Sequence, residues 1–150
     1  MTAGVHRLGR YFTLPECTIT ETGLANVPDL PAIVCMTALV ATVLDPLRRY
    51  LGRPVHVTSM YRSPEVNRAV GGSSTSDHLT GEAADIRVDG MGSVPLGDYL
   101  MGLGLDVDQV IVYPGLEHVH VSHRLLEDQR GQTLQKVGGQ YLPWSPRERL

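Results

Sequence analysis

The sequence predicts an α+β fold, built from a small, mostly antiparallel sheet with flanking helices. Apolar residues recur every three to four positions from Asp29 to Tyr50, the spacing of a helix with a broad buried face. Later segments alternate apolar and polar residues as half-buried strands do, and short helical segments separate them. Helices followed by strands that short helices interrupt are typical of the α+β class.

The size and composition of the chain suit one domain over residues 1–150. Of its 150 residues, 42% are hydrophobic, which is enough for one core. The formal net charge is -3 and no basic cluster stands out, so we expect no nucleic-acid partner. No apolar run reaches the roughly 18 residues of a membrane span and no signal-peptide pattern occurs, so we expect no membrane partner and synthesis in the cytoplasm. Cys17 and Cys35 lack partners at ligand or disulfide spacing, and we expect both to be buried or half-buried.

The first half of the chain predicts three helices and a strand. Thr13 is a favourable N-cap for a short first helix. Gly52 is expected to end the long helix, and Pro54–Met60 alternates as a strand does. Ser63 caps a further helix, because a proline follows at the first helical position and a pair of glycines follows the last turn.

The second half is predicted to alternate strands with one helix after a polar loop at residues 71–81. The predicted segments are a strand at Ala83–Val88, a helix at Pro95–Leu103, and strands at Asp108–Tyr113 and His118–Ser122. From Glu127 onward we expect a loop. Its large side chains, which can hold it in place, are Tyr141, Leu142 and Trp144. Asp106 and Asp108 could bind a cation, but two carboxylates in a loop are more often exposed to water, which is what we expect for this pair.

The residues that point to chemistry begin in the segment from Ser76 to Asp85. His78 and Asp85 stand seven positions apart, and Gly81 between them allows a sharp turn. Imidazole nitrogen and carboxylate oxygen both bind Zn²⁺ at about 2.0 to 2.2 Å, and catalytic zinc sites use three protein ligands. The evident source of a third ligand is residues 117–122, where alternate residues share one face of a strand. Each such residue alone is more often a solvated or hydrogen-bonded side chain.

An ordered series of motifs gives these residues a more specific meaning. The motifs are Tyr61-Arg62-Ser63-Pro64 with Val66-Asn67, Val70-Gly71-Gly72, Ser76-x-His78-x-x-Gly81-x-Ala83-x-Asp85, and His120-Val121-Ser122. Together they resemble the M15 family of zinc peptidases, and within it the subgroup of D-Ala-D-Ala carboxypeptidases and tailed-phage endolysins. The resemblance covers roughly residues 12–145 and implies the fold shared with the hedgehog signalling domain. It also implies one zinc ion held by His78, Asp85 and His120.

The resemblance assigns catalytic roles to three further residues. Glu117, three positions before His120, matches the family's general base, which accepts a proton from the attacking water. In an unbroken strand these two side chains would face opposite ways, so we expect Glu117 in a turn or bulge. Arg62 matches a substrate-binding arginine that can polarise the scissile carbonyl, with a structural salt bridge as the alternative. His118 stands where many relatives carry an aromatic residue, and we expect it to stabilise the oxyanion or to hydrogen-bond near the ligands.

The resemblance implies a monomeric zinc metallopeptidase that hydrolyses an amide bond in the peptidoglycan stem peptide. Either a D-Ala-D-Ala carboxypeptidase or an L-Ala-D-Glu endopeptidase fits, and Ser76 is expected to bind substrate, to orient His78 or to shape the loop. The lack of a signal-peptide pattern leads us to expect a phage or prophage lysis enzyme that acts on the wall after release, or a part of a phage particle. One alternative is a non-catalytic, zinc-stabilised module that binds a peptide or protein, although Glu117 and Arg62 argue against it. A weaker one is hydrolysis of a D-Ala-D-Ala dipeptide in the cytoplasm.

Overall fold

A computed structural model describes residues 4–147 of the chain. Its α-helices are α1 (Leu14–Cys17), α2 (Leu30–Leu39), α3 (Asp45–Leu51), α4 (Pro64–Ala69) and α5 (Ser93–Gly102). A π-helical turn (Val40–Leu44) joins α2 to α3, and a 3-10 turn spans Asp77–Thr80. The strands are β1 (His56–Ser59), β2 (Ala83–Arg87), β3 (Gln109–Val112), β4 (Val119–Ser122), β5 (Gln132–Val137) and β6 (Gln140–Pro143).

Within residues 4–147, six strands form one sheet in the order β1-β2-β4-β3-β5-β6. Neighbouring strands run antiparallel except β3 and β5, which are parallel. The predicted α+β class is therefore confirmed, whereas the prediction of a small sheet is wrong, and the antiparallel pattern has one parallel exception. The sheet is mixed and larger than expected, because the C-terminal part of the chain adds two strands beside β3.

The two C-terminal strands replace the loop predicted from Glu127 onward. β5 and β6 form a hairpin across Gly138 and Gly139, whose φ angles are +56° and +78°. Positive φ at both central residues is typical of two-residue hairpin turns, and glycine adopts it at little cost. The Gly-Gly pair is therefore the sequence signal for this hairpin. Trp144 packs against the core as expected, whereas the two large side chains predicted to help it are exposed.

The long helix predicted from Asp29 to Tyr50 is confirmed as a run from Leu30 to Leu51. Asp29 caps it by accepting a hydrogen bond from the Ala32 backbone N–H at 3.0 Å. The π-helical turn lies just before Pro46. In a regular α-helix a proline ring collides with the carbonyl four residues earlier, and the wider turn lets the helix continue past it.

The same helix supplies a large part of the hydrophobic core. Its fully buried side chains are Met36, Leu39, Val40, Val43, Leu44 and Leu47. By length and composition alone, the run Leu30–Leu51 is also long and apolar enough to cross a membrane. Core helices pass the same test, and the burial of these side chains in the core accounts for the apolar character of the run.

Both cysteines occupy the apolar settings that the sequence predicts. Cys17 is buried and Cys35 is half-buried, and both are free thiols. Burial, with a smaller contribution from the charge of Glu16, raises the pKa of the Cys17 thiol to about 12. Burial is also the chief cause of the raised pKa of Cys35. Both thiols therefore stay protonated near neutral pH, where a thiol is a poor nucleophile and a poor metal ligand.

Candidate metal centre and substrate cleft

One row of residues in register crosses the sheet and carries two of the predicted ligands. Asp85 on β2 pairs with His120 on β4, and His120 pairs with Ile111 on β3. Ile111 in turn pairs with Leu134 on β5. Residues in register on neighbouring strands project from the same face of a sheet. These four side chains line a cleft of about 820 Å³.

The 3-10 turn presents His78 to the same cleft. Ser76, which also lines the cleft, caps the turn by accepting a hydrogen bond from the His78 backbone N–H at 3.3 Å. Gly81 ends the turn with a φ of +78°, a conformation that glycine adopts readily. The His78 ring is buried, and its Nδ1 lies 2.6 Å from the Met60 carbonyl oxygen. Because a carbonyl only accepts, this contact places a proton on Nδ1 and leaves Nε2 available to a metal.

His78, Asp85 and His120 form one cluster. His120 Nδ1 lies 2.9 Å from Asp85 Oδ1, and His78 Nε2 lies 3.4 Å from the same oxygen. The ring centroids of the two histidines are 5.2 Å apart. One possible ligand atom from each of the three residues lies within 4.8 Å of the others. Two imidazoles and one carboxylate are a donor set found in catalytic zinc sites, so these residues fit a zinc ion.

Asp85 is the anionic member of the cluster. Its burial favours the neutral carboxyl, but its interactions with His120 and His78 outweigh burial and hold its pKa far below the usual value. The carboxylate is therefore charged at neutral pH. Metal binding requires a deprotonated carboxylate, so Asp85 needs to lose no proton before it can act as a ligand.

A comparison with known protein families shows which family the chain belongs to. The family model described as Peptidase M15 matches residues 10–122, which include all three members of the cluster. The chain belongs to the M15 peptidase family. The M15 resemblance in the sequence is thereby confirmed at the level of the family. A comparison with curated proteins gives no match.

Arg62 lies between β1 and α4 and lines the cleft of this M15 peptidase. Its Nη2 lies 3.4 Å from Asp85 Oδ2, on the side of the carboxylate that faces away from the histidines. Its Nε donates to Ser59 Oγ at 3.1 Å, and its Nη1 donates to Asn67 Oδ1 at 3.4 Å. Three contacts therefore hold the guanidinium beside a candidate metal ligand.

Asn26 fixes the backbone on both sides of Arg62. Its Nδ2 donates to the Tyr61 carbonyl at 2.8 Å, and its Oδ1 accepts from the Ser63 backbone N–H at 2.7 Å. Ser63 then caps α4 as predicted, by accepting from the Val66 N–H at 3.2 Å. The N-terminal part of this M15 peptidase thus positions an arginine that lies far from it in the sequence.

Glu117 and His118 lie beside the main cleft rather than on its lining. Glu117 is exposed in a bend just before β4, which agrees with the turn position expected for it. Both residues line a second depression of about 540 Å³, which meets the cleft at Asp85. The His118 ring stacks on the ring of Tyr113, with centroids 4.2 Å apart. The catalytic roles of Glu117 and His118 stay predictions.

Tyr113 is a cleft residue that the sequence did not single out. It lines the main cleft and supports His118 through the stacked rings. Burial, followed by the negative charge of Asp85, raises the pKa of Tyr113 to about 12. Its hydroxyl therefore stays protonated at neutral pH and can donate a hydrogen bond.

Asp108 corrects the expectation of a water-exposed carboxylate. Its side chain is 0% exposed and forms ion pairs with Arg124 at 3.1 Å and with Arg130 at 2.8 Å. Both arginines line the cleft of the M15 peptidase. Hydrogen bonds from Arg130 and an ion pair with Arg124 replace the water that a buried carboxylate loses, which explains how Asp108 stays buried and charged. The sequence signal is weak, since both partners lie in a later loop.

Proposed function

We propose that this M15 peptidase hydrolyses an amide bond in the peptidoglycan stem peptide, with one zinc ion held by His78, Asp85 and His120. The observation that supports this most strongly is the His-Asp-His cluster, whose ligand atoms lie within 4.8 Å of one another beside an open cleft. Zinc in such a site is a Lewis acid that polarises carbonyl groups and lowers the pKa of water. The remaining steps fall to side chains of the chain itself.

Arg62 is proposed to bind the substrate and to polarise the scissile carbonyl. Its contacts with Ser59, Asn67 and Asp85 hold the guanidinium at the cleft before substrate arrives. A guanidinium held in this way loses little entropy when it pairs with a carbonyl or carboxylate of the peptide. Because the same side chain contacts Asp85, it is also proposed to orient that ligand.

Glu117 is proposed as the general base and general acid. Its carboxylate is exposed, and the depression that it lines includes Asp85. A carboxylate there would accept a proton from the attacking water and deliver it to the leaving amine. His118 is proposed to donate a hydrogen bond to the oxyanion, since stacking on Tyr113 restrains its ring. Ser76 is proposed to contact the peptide where it lines the cleft.

The biological setting belongs to the same proposal. Both a D-Ala-D-Ala carboxypeptidase and an L-Ala-D-Glu endopeptidase remain consistent with the cleft. We propose a monomer, because one chain supplies all three candidate ligands. We further propose a phage or prophage lysis enzyme, made in the cytoplasm and released to the wall, or a component of a phage particle. Membership of the M15 family supports a peptide as the substrate.

One observation favours a second candidate function. Glu117 lines the smaller depression and is not among the residues that line the main cleft. A general base has to come within hydrogen-bond reach of the proton that it takes, although catalytic contacts often tighten only when substrate binds. A zinc-stabilised module that binds a peptide or protein without cleaving it is therefore the alternative.

Zinc-loaded protein incubated with intact peptidoglycan and with a stem pentapeptide separates these functions, with products identified by mass spectrometry. We expect either free D-Ala, released by a carboxypeptidase, or new D-Glu amino termini, released by an endopeptidase. Glu117→Ala is expected to keep its zinc and its fold but to lose product formation by about 100-fold or more. No product from either substrate while zinc stays bound would contradict hydrolysis and favour the binding module.

A further inference from the structure

A buried carboxylate organises two arginines on one wall of the cleft. Asp108 accepts from Arg130 through both of its oxygens, with Nε to Oδ1 at 3.1 Å and Nη2 to Oδ2 at 2.8 Å. The backbone N–H of Arg130 also donates to Oδ1, at 3.0 Å. Arg124 Nε reaches Oδ2 from the other side at 3.1 Å. A two-point contact of this kind fixes the plane of a guanidinium, so the direction of its other N–H groups is fixed as well.

These contacts leave donors available for a ligand. Among residues 4–147, Arg130 Nη1 and Arg124 Nη2 have no hydrogen-bond partner. Asp108 carries one negative charge against the two positive charges that it holds. Glu127 offsets part of the excess through Arg124 Nη1, at 2.6 Å, but its side chain is 70% exposed and water screens it strongly. Asp77, which also lines the cleft, interacts with both arginines and offsets their charge further. What the two arginines present to the cleft is therefore a pair of free guanidinium N–H donors.

The C-terminal hairpin carries a further cation of the cleft, at the other end of the sheet from the two arginines. Lys136 on β5 lines the cleft, and its Nζ lies 5.1 Å from the centre of the Tyr141 ring on β6. The two residues are paired in register across the hairpin, so the aromatic ring restrains the ammonium group. The family match ends at residue 122, before Arg124, Arg130 and Lys136. The three cations therefore lie beyond the matched region, whereas Asp108 lies within it.

The sheet register gives the distance between this wall and the metal cluster. The backbone N–H of Asp108 donates to the Ser122 carbonyl at 2.8 Å, and Ser122 lies on β4 two residues after His120. Lys136, two residues beyond Leu134, lies on the opposite side of the row through His120, Ile111 and Leu134. Strands advance about 3.3 Å per residue and lie about 4.8 Å apart, so the backbone of Asp108 lies about 8 Å from that of His120. An extended peptide advances about 3.3 to 3.6 Å per residue. A substrate group that contacts the wall therefore lies about two or three residues from the bond at the metal cluster.

We propose that Arg124 and Arg130 form an anion subsite that binds a carboxylate of the substrate peptide, with Asp108 as a positioning residue. The proposal rests on the proposed function and refines it, because it selects acidic peptides with a carboxylate about two or three residues from the cleaved bond. In a stem peptide the free carboxylate of the D-glutamyl residue and the C-terminal carboxylate are the two candidates. Both have the chemistry that a pair of guanidiniums recognises.

Binding can be measured without cleavage, which separates this subsite from the proposed reaction. Isothermal titration of metal-free protein would use a stem tetrapeptide, its form with the D-glutamyl carboxylate amidated, and its form with the C-terminal carboxylate amidated. We expect amidation of the recognised carboxylate to weaken binding about 10-fold or more, as loss of a charge-assisted hydrogen bond does. Amidation of the other carboxylate is expected to have little effect. The amidated form that binds weakly identifies the carboxylate.

The variants Arg130→Gln and Asp108→Asn test which residues are responsible. Each is expected to bind the acidic and amidated peptides equally, with the far-ultraviolet circular dichroism of the wild type confirming that it folds. Arg124→Gln keeps the test open if Asp108→Asn fails to fold, and we expect it to reduce the preference several-fold. Arg68→Gln is the matched control, because Arg68 is 73% exposed on α4 and pairs with Glu65.

The outcomes are distinct for the two proposals. Equal binding of acidic and amidated peptides by the wild type would overturn the subsite, and so would an equal loss of preference in Arg68→Gln. A preference that depends on Arg130 in a protein that cleaves no stem peptide would support the subsite and contradict the proposed hydrolysis. Cleavage of both amidated peptides at the rate of the acidic one would support the hydrolysis and contradict the subsite.

Discussion

Asp85 connects the candidate ligands to the candidate substrate-binding residue. Its Oδ1 faces both histidines, and its Oδ2 faces Arg62. Outer partners that hold a ligand in place usually matter nearly as much to metal affinity as the ligands themselves. We therefore expect Asp85 to couple the affinity for zinc to the position of Arg62, which lies just before α4.

The substitution Arg62→Lys tests this coupling at a single residue. Lysine cannot maintain contacts to Ser59, Asn67 and Asp85 together, because its ammonium group is a single point charge without the guanidinium fork. We expect the dissociation constant for zinc to rise about 10- to 100-fold. Competition against a chromophoric chelator measures it.

Arg68→Lys is the control for that experiment, since Arg68 is exposed and lies 3.8 Å from Glu65, away from the cleft. It should leave the affinity for zinc unchanged. If Arg62→Lys also leaves zinc affinity unchanged but raises KM for a stem peptide, Arg62 acts on the substrate alone and does not orient Asp85.

At the residue scale, the sequence predicted functional residues best where both the residue types and their spacing indicated the same site. His78, Asp85 and His120 were predicted as ligands, and the structure brings the three together. Asp108 was predicted to be exposed because its burial depends on two arginines that only tertiary structure brings to it. A local pattern contains no information about such a contact.

The 3-10 turn that contains His78 packs closely against the long helix. A side chain at Gly81 would place its Cβ 2.7 Å from the Ala32 carbonyl oxygen and 2.7 Å from Met36 Cγ. Backbone cannot easily move away at that distance. The turn therefore packs directly against α2. Gly81 is needed there because it adopts a positive φ readily and has no side chain to collide with the helix.

Gly81→Ala is expected to destabilise the protein by about 2 to 4 kcal/mol, the sum of a positive-φ cost and an overpacking cost. Gly23→Ala is a matched control, because Gly23 has a φ of +74° and a Cβ there would meet nothing within 4 Å. It should cost only about 1 to 2 kcal/mol. Urea unfolding with a chelator present measures both, and equal losses would show that close packing against α2 contributes nothing.

At the element scale, local signals predicted the helices well and the hairpin poorly. The Thr13 capping box and the Ser63 cap are formed as predicted, since a cap depends on residues within one turn of the chain. The Gly138-Gly139 turn is equally local, yet the parallel pairing of β5 with β3 is not. A local sequence pattern does not indicate which of several distant strands will pair with one another.

For the whole molecule, the Asp108 contacts make stability depend on pH. Burial alone would raise the pKa of Asp108, but the hydrogen bonds and charge of Arg130, with the charge of Arg124, lower it below 3.8. A carboxylate with a lowered folded-state pKa stabilises the fold above its unfolded-state pKa. That contribution is lost as the pH falls through the folded-state pKa.

Asp108→Asn is accordingly expected to reduce the free energy of unfolding by about 2 kcal/mol near pH 7. The difference from wild type should shrink once the pH falls below about 4, where the Asp108 carboxylate of the unfolded wild-type chain begins to take up a proton. Urea unfolding of both proteins in chelator, between pH 7 and pH 3, provides the measurement. A difference that stays constant or grows as the pH falls would contradict this assignment.

The overall arrangement was predictable from the sequence only in part. The α+β class followed from one helical and several alternating segments, and it is confirmed. The mixed six-stranded sheet did not follow, because β5 and β6 lie beyond the residues whose pattern was recognised as strand. As a result, the part of the cleft that β5 and β6 form, which includes Lys136, could not be predicted from the sequence.

The central claim is that zinc at His78, Asp85 and His120 makes this M15 peptidase active on stem peptides. Its most direct test is a zinc titration of metal-free protein in which bound metal and stem-peptide hydrolysis are measured in the same samples. The account predicts that hydrolysis rises with bound zinc and saturates at one ion per chain, and that His120→Ala neither binds zinc at that affinity nor hydrolyses. Hydrolysis that continues after complete chelation, or undiminished zinc binding and hydrolysis in His120→Ala, would contradict it.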